Sequence, residues 1–370
     1  MAGCHVGAGA LRDTLSWANL PGLADNGIIP ELLHGKKTAV QPAQGRLARW
    51  ARFSAIVLLT TTSWLATAGD SGPQDHLQIA RLDGSLLDIH LQRPATQDKV
   101  PLLIYIDGSL CIPSTEDGTA QWLLHRDSTN KPYAVAIVDK SGPTIPQKNA
   151  NGDIEIGPDF ACSREFKQYY TIDQRVSDHL RALQYLRRHA EWWNGELLVW
   201  GFSDGGRIGA QLASYYPQTQ AVALVGSGGG IPMAESMEDM VCATSADTAE
   251  CRESLRRQVD EIRAQPVPGR DWMGEANTYA AWASRLDAVE ANILRDLAAP
   301  LLVVHGERDG SVPVASARKL AEQMGESGVA FRYREVAGMR HSLGGGKEPG
   351  EVEALHQEVL AWLLDQTSPE

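Results

Sequence analysis

The sequence predicts an α/β fold with a mostly parallel central sheet, flanking helices and an inserted helical cap. Strand-like apolar runs alternate with helical patterns through most of the chain, and strands that alternate with helices usually pair in parallel. Between residues 230 and 298 the alternation stops and the pattern is helical only. Three strand-like runs lead into polar loops, as expected where the carboxyl ends of parallel strands form a site.

The first predicted elements are four strands and the helix that follows them. Residues 77–91 indicate a hairpin with a turn at Asp83-Gly84, and apolar runs at 100–106 and 133–138 predict the next two strands. A capping-box pattern at 171–174 begins a helix whose apolar residues recur at helical spacing. These residues are Ile172, Val176, Leu180, Leu183 and Leu186.

The remaining core elements follow the same alternation. Residues 196–200 predict a strand, 208–215 a helix and 221–225 a strand. Residues 300–306 predict another buried strand, and the alternation at 329–336 indicates a strand near the sheet edge. The last helix carries one apolar face, formed by Val352, Leu355, Val359 and Leu363.

A glycine-rich turn with a serine at its centre follows the strand at 196–200. Its sequence, Gly201-Phe202-Ser203-Asp204-Gly205, matches the G-x-S-x-G nucleophile elbow, in which a sharp turn lifts a serine hydroxyl above the sheet. The alternative is a glycine-rich turn without chemistry. The two interpretations differ in whether a histidine and a carboxylate accompany the serine.

Two later loops supply such partners in the order serine, acid, histidine. Asp309 follows the strand at 300–306, and His341 lies in a glycine-rich loop after the strand at 329–336. Glu307 is the rival candidate for the acid. The alternatives are that Asp309 only begins the next helix, where carboxylates are favoured, and that His341 is a surface histidine.

These motifs together resemble the α/β-hydrolase family. The resemblance runs from about Leu77 to the C-terminal helix and rests on the elbow, the acid loop HGERDGSVP and the histidine loop GMRHSLGG. It implies that Ser203 is the nucleophile, that His341 is the general base and then acid, and that Asp309 orients His341.

The same resemblance implies an oxyanion hole with two backbone N–H donors. One is expected from Asp204, the residue after the nucleophile, and the other from the loop after the strand at 100–106. That loop departs from the family's histidine-glycine-glycine form, and Leu110 is favoured as the donor ahead of Ser109. The alternative is that Asp107-Gly108 is only a turn.

The insertion at 230–298 is predicted to cover the active site. It is rich in methionine and aromatic residues, and caps of this kind form substrate pockets and exclude water. Trp272, Met273 and Trp282 are the candidate substrate contacts. The alternative is that they form the small core of the cap itself.

The N-terminal region resembles a secretory signal peptide at 46–68, with arginines, an apolar run and small residues in order. An uncleaved membrane anchor is the alternative, although the apolar run is short for a span. Residues 1–45 would then be a leader or a mis-assigned start. The predicted core comprises 69–229 and 299–370.

Charge and cysteine content agree with export to the periplasm or the extracellular space. The 370 residues carry a net charge of −12. Cleavage after residue 68 would leave 28 basic and 43 acidic side chains, a net of −15, which argues against nucleic acid as a partner and against anionic membrane surfaces. The cysteines remaining after cleavage suggest disulfides, with the plausible pairs Cys111 with Cys162 and Cys242 with Cys251. Four buried thiols are the alternative.

The predicted function is an exported serine hydrolase that cleaves a small carboxylic ester through an acyl-enzyme. Two alternatives use the same triad: a serine peptidase that acts on short peptides, and an acyltransferase. A third alternative is a binding protein that has the fold but no catalytic activity. No cofactor and no metal are expected, since cysteines and histidines lack ligand spacing. The oligomeric state is left open.

Overall fold

A computed structural model describes residues 74–126, 131–149, 154–156, 160–274 and 276–367. The predicted leader, the signal-like segment and Cys4 lie outside the described residues. The strands are β1 (Gln74–Ala80), β2 (Leu86–Gln92), β3 (Val100–Ile106), β4 (Ala134–Val138), β5 (Gln147–Lys148), β6 (Ile154–Glu155), β7 (Trp193–Phe202), β8 (Thr219–Val225), β9 (Leu301–Gly306) and β10 (Phe331–Val336). The α-helices are α1 (Gly118–Leu124), α2 (Arg164–Tyr169), α3 (Ile172–His189), α4 (Asp204–Tyr215), α5 (Met233–Cys242), α6 (Thr248–Ala264), α7 (Tyr279–Ala283), α8 (Ala291–Leu294), α9 (Val314–Gly325) and α10 (Pro349–Leu364).

An eight-stranded sheet forms the centre of the molecule, in the order β1-β2-β4-β3-β7-β8-β9-β10. The pairs β1–β2 and β2–β4 are antiparallel, and all other pairs in this sheet are parallel. The predicted mostly parallel α/β sheet is therefore confirmed. The predicted hairpin is β1 with β2, and the strand predicted near the edge, β10, forms the edge.

Side chains of the central strands alternate between two hydrophobic layers. Leu102 and Ile104 of β3 pack into the layer that includes α3, α4, α8 and α9, whereas Leu103 and Tyr105 pack into the layer that includes α1 and α10. All four side chains are almost fully buried. Strands buried on both faces read as continuous apolar runs, which explains the sequence pattern at 100–106.

The chain reverses its direction of travel through the sheet at β3. It passes from β3 through α1 to β4 on one side and returns through α3 to β7 on the other side. Such a switch point opens a crevice at the carboxyl ends of the two strands, where ligands bind in open α/β sheets. The loop after β3 and the serine turn after β7 both lie at this crevice.

The insertion between β8 and β9 has a hydrophobic cluster of its own, built from α5, α6, α7 and their loops and extending to Leu286. Farther along the chain, Ala291 and Leu294 of α8 pack into the main core. The separate cluster therefore ends before residue 298. None of the helices in the described part of the chain has both the length and the apolar character needed to cross a membrane.

Two buried histidines predict how stability depends on pH. Burial lowers the pKa of His179 to about 3, helped by the charge of Arg175, and burial lowers the pKa of His356 to about 4. Both values lie below the value of about 6.5 expected for an unfolded histidine. The contribution of these two neutral histidines to the stability of the folded protein is therefore complete above pH ~6.5, and it is lost as the pH falls towards their pKa values in the folded protein.

We expect these two histidines to contribute a fall of about 2.7 kcal/mol per pH unit in the free energy of unfolding between pH ~6 and ~4.5, since each takes up one proton on unfolding. Urea unfolding at several pH values measures this slope. His356→Phe keeps an aromatic ring against Trp122 and should lower the slope by about 1.4 kcal/mol per pH unit, the share of one proton. A flat profile across this window would contradict the prediction.

Candidate active site

Ser203 lies in a strained turn between β7 and α4. Its φ of 54° places a non-glycine residue in the left-handed region, and its N–H donates to the carbonyl of Val225 at 2.9 Å. A Cβ on Gly201 would lie 2.3 Å from the carbonyl oxygen of Gly205, and one on Gly205 would lie 2.0 Å from that of Ile106. Only glycine fits at both positions, so the turn places Ser203 against the end of β3.

His341 contacts both Ser203 and Asp309. Its Nε2 lies 2.9 Å from Ser203 Oγ, and its Nδ1 lies 2.9 and 3.0 Å from the two carboxylate oxygens of Asp309. The carboxylate accepts, so Nδ1 carries the proton and Nε2 is left to accept the serine proton. The loops after β7, β9 and β10 thus bring together the three residues that the sequence singled out.

The electrostatics keep Asp309 ionised. Burial by itself would raise its pKa, but the hydrogen bond and charge interaction with His341 outweigh this, and the pKa lies below its usual value of 3.8. Backbone N–H groups of Ser311 and Val312 also donate to Oδ1 at 2.9 and 2.8 Å. At neutral pH Asp309 is therefore a carboxylate that can stabilise a positively charged His341.

Glu307, the rival acid, has a different position. Its exposed carboxylate accepts a hydrogen bond from the Gly338 N–H at 2.9 Å. This bond ties the acid loop to the start of the histidine loop. The carboxylate that contacts His341 belongs to Asp309.

A second histidine, His305 on β9, contacts Asp309 and was missed by sequence reasoning. Its fully buried Nε2 lies 3.0 Å from the carbonyl of Val312 and 3.4 Å from Asp309 Oδ2. Because a carbonyl only accepts, Nε2 carries the proton. Burial lowers the pKa of His305, so this side chain is neutral and helps to hold Asp309. The only feature of the sequence that could have indicated this role is the position of a histidine inside an otherwise apolar strand.

The loop after β3 lies directly against the nucleophile. A Cβ built on Gly108 would lie 3.2 Å from Ser203 Cβ and 3.6 Å from Ser203 Oγ. Leu110 is 39% exposed and Ser109 is partly buried, while Asp204 begins α4. The loop with the predicted donors is thus beside Ser203, and the roles of Ser109, Leu110 and Asp204 as oxyanion donors stay predictions.

A buried ion pair joins the insertion to the elbow. Arg285 Nη2 lies 3.0 Å from Asp204 Oδ2, and the hydroxyl of Tyr170 donates to the same oxygen at 3.1 Å. Arg285 also donates to Asn277 Oδ1 at 3.1 Å and lies over the Trp282 ring. Arg285 therefore offsets the negative charge of a buried carboxylate on the residue that follows Ser203.

Trp272, Met273 and Trp282 belong to the hydrophobic cluster of the insertion. The indole N–H of Trp282 donates to the Trp272 carbonyl at 2.7 Å, and that of Trp272 donates to Gln258 at 2.7 Å. Their contacts are therefore those of the small cap core that the sequence left open as the alternative. A role in substrate binding stays a prediction for all three.

Both plausible cysteine pairs form disulfides in the structure. Cys111 bonds to Cys162, across 51 residues, and Cys242 bonds to Cys251, across nine. The first bond ties the loop after β3 to the segment before α2, while the second joins α5 to α6 in the insertion. The described residues contain no group of three or more His, Cys, Asp or Glu arranged to hold a metal.

We expect Cys111→Ser/Cys162→Ser to lower the free energy of unfolding by about 4 kcal/mol, since it opens a long loop. It should also lower turnover, because Cys111 lies next to the predicted oxyanion donors. Cys242→Ser/Cys251→Ser is the matched control, with a stability loss of about 3 kcal/mol and unchanged turnover. Thermal unfolding and ester turnover measure both effects, and equal turnover losses in the two variants would contradict the prediction.

Comparison with known proteins agrees with this architecture. Residues 259–370, which include Asp309 and His341, match the model of the prolyl oligopeptidase family (Peptidase_S9). No curated protein matches the chain. The matched segment is 112 of the 370 residues, and the nucleophile turn lies outside it.

Solved structures of hydrolases are similar over most of the chain. A bacterial brefeldin A esterase, described as a homologue of human hormone-sensitive lipase, has a TM-score of 0.51 and 17% identity, over 84% of this chain and 80% of that one. The α/β hydrolase GrgF from a Penicillium species has a TM-score of 0.50 and 16% identity, over 80% and 99%. A puromycin-hydrolysing peptidase of Mycobacterium tuberculosis has a TM-score of 0.52 and 16% identity, over 81% and 40%.

The chain has the α/β-hydrolase fold, which confirms the fold implied by the motifs. The family match and the structural neighbours are consistent with a serine hydrolase, either an esterase or a peptidase.

Proposed function

We propose that the protein hydrolyses carboxylic esters through an acyl-enzyme formed on Ser203. The observation that carries this proposal is the continuous hydrogen-bonded chain from Ser203 through His341 to Asp309 at the sheet's switch point. A serine, a histidine and a buried carboxylate in this arrangement activate the hydroxyl for attack on a carbonyl carbon. The partly exposed Ser203 is open to a substrate.

The reaction follows from this geometry. Ser203 Oγ attacks the ester carbonyl carbon while His341 Nε2 takes the hydroxyl proton, and Asp309 stabilises the resulting imidazolium. The oxyanion is held by the Asp204 N–H and one N–H of the loop after β3. Collapse expels the alcohol, which receives the proton from His341. Water then gives a proton to His341 Nε2 and attacks the acyl carbon. As the bond between this carbon and Ser203 Oγ breaks, His341 returns the proton to Oγ, and the carboxylic acid is released.

The esterase and the peptidase among the neighbouring structures differ in how much of their own length is matched. The brefeldin A esterase is matched over 80% of its length, whereas the puromycin-hydrolysing peptidase is matched over only 40%. The fold described here thus accounts for most of an esterase but for less than half of that peptidase.

A peptidase is the second candidate, and one observation favours it. The segment with Asp309 and His341 matches a family whose description is that of an oligopeptidase. An amide differs from an ester mainly in its leaving group, which must be protonated as it departs, and His341 Nε2 is placed to supply that proton.

Export is part of the proposal and has separate support. The signal-like segment at 46–68 and the two disulfides both fit an oxidising compartment. N-terminal sequencing of secreted protein tests it. A mature chain starting near residue 69 is expected, and an uncleaved chain in the cytosol would contradict export.

Turnover of two sets of chromogenic substrates distinguishes an esterase from a peptidase. p-Nitrophenyl esters of increasing acyl length are compared with aminoacyl and dipeptidyl p-nitroanilides, with Ser203→Ala as the blank. The proposal expects kcat/KM at least a hundredfold higher for the best ester than for the best anilide, after both are divided by their uncatalysed rates. Higher corrected values for an anilide would instead assign the peptidase function.

A further inference from the structure

A cluster of buried charges lies under the loop after β3. Lys140, at the end of β4, forms a short ion pair with Asp107 through its Nζ, and the two side chains are 1% and 5% exposed. The same Nζ donates to the carbonyl oxygen of Gly108 at 3.3 Å. Arg175 of α3 approaches the other oxygen of Asp107 at 3.8 Å. One ammonium group therefore binds both the side chain and the main chain of this loop.

The cluster is fixed in turn by the end of β4. Arg175 donates to the carbonyls of Val138 and Asp139 at 3.0 and 2.7 Å. The carboxylate of Asp139 accepts from the Lys140 N–H at 2.8 Å. Lys140 thus projects from a backbone that is held on two sides, and burial of its side chain limits the positions that its ammonium can take.

The carbonyl that Lys140 binds belongs to a peptide group important for the proposed reaction. The Gly108 carbonyl and the Ser109 N–H share one planar trans peptide, and they point in opposite directions. Gly108 itself lies between the cluster and the nucleophile, with its missing Cβ 3.6 Å from Ser203 Oγ. Holding the carbonyl towards Lys140 turns the Ser109 N–H away from Lys140.

We propose that Lys140 is a positioning residue for the oxyanion hole, acting through Asp107 and Gly108 to aim the Ser109 N–H at the substrate oxyanion. This rests on the proposed function and selects Ser109 ahead of Leu110 as the second donor. A buried ion pair contributes little net stability relative to apolar packing, but the hydrogen bond from Lys140 to the Gly108 carbonyl has a direction, which apolar packing does not supply. Oxyanion donors are effective only when they are held in place before reaction.

The test measures phosphonylation by a fluorophosphonate-rhodamine probe, whose phosphoryl oxygen occupies the oxyanion hole as it reacts. Both the labelling rate constant and the final number of labels per chain are recorded. Lys140→Met is expected to lower the rate constant at least tenfold, with labelling still reaching the wild-type number per chain. Lys140→Arg retains a donor and should recover part of the rate. A purely structural role would reduce the final labelled fraction instead.

The matched control is Arg81→Met, which removes a buried cation from a 2.8 Å ion pair with Asp178; the other hydrogen bonds described for the Arg81 side chain go to Ser85 and the Leu86 carbonyl, not to the loop after β3. Its labelling rate constant should equal that of the wild type. If Lys140→Met does not fold, Asp107→Asn/Lys140→Met removes both charges and should show the same tenfold slower labelling. Wild-type rates in the folded Lys140 variant, or equal slowing by Arg81→Met, would overturn the inference. An unlabelled wild type would instead refute the proposed function and, with it, this inference.

Discussion

Ser203→Ala should lower ester turnover by at least about a thousandfold, since losing the nucleophile of a triad removes nearly all of its catalytic effect. The variant keeps the backbone turn and loses only the hydroxyl that lies 2.9 Å from His341 Nε2. Turnover of the best p-nitrophenyl ester, corrected for the uncatalysed rate, measures the effect.

The matched control for this variant is Ser214→Ala, near the end of α4, the helix that follows Ser203. The Ser214 hydroxyl is exposed and donates only to the Gln211 carbonyl at 2.8 Å. Its removal should leave turnover unchanged. Comparable turnover in Ser203→Ala and the wild type would show that hydrolysis does not pass through Ser203.

Asp309→Asn should lower turnover by roughly a thousand- to ten-thousandfold at neutral pH, the size of effect found when a triad carboxylate becomes an amide. The amide cannot stabilise the imidazolium by charge. If its NH₂ group donates to His341 Nδ1, the imidazole proton is moved to Nε2, which can then no longer accept the serine proton. The ester rate at constant enzyme concentration measures this loss.

Glu307→Gln is the control that separates the two acids. Its side chain binds only the Gly338 N–H among the contacts described for it, and the amide oxygen can still accept that bond, so turnover should change less than about threefold. If Glu307→Gln lost most of its turnover while Asp309→Asn kept wild-type turnover, the acid of the triad would be Glu307 and not Asp309.

The order of the motifs along the chain was sufficient to predict which loops meet. Ser203, Asp309 and His341 each follow a strand of one parallel sheet, and parallel strands place their carboxyl ends at the same edge. The glycines around Ser203 were readable because a side chain at either position would overlap the backbone. The local sequence therefore predicted the serine turn and the two loops that hold its partner residues.

The charges behind the site could not be predicted in the same way. Asp107 and Lys140 are 33 residues apart, and Asp204 and Arg285 are 81 apart. No spacing rule links such pairs, because their contact depends on how β4 and the insertion pack against the crevice. The contribution of His305 was likewise hidden, since a histidine within an apolar strand is compatible with plain burial.

The role of the insertion was also beyond the sequence pattern. Its aromatic residues suggested a pocket, yet the described contacts of Trp272 and Trp282 are with one another and with the cap's own helices. The sequence pattern predicted that the insertion is helical, but it did not indicate which faces of α5 and α6 would meet a substrate. Arg285, which reaches Asp204, carries no motif.

The most direct test of the nucleophile is peptide mapping of the wild-type protein after reaction with an alkyl fluorophosphonate. Trypsin releases residues 189–207 as one peptide containing Ser203. A single phosphonyl adduct on Ser203, with no comparable adduct on other peptides, is the predicted result. An unmodified 189–207 peptide under these conditions, or an adduct confined to another residue, would contradict the assignment of Ser203 as the nucleophile.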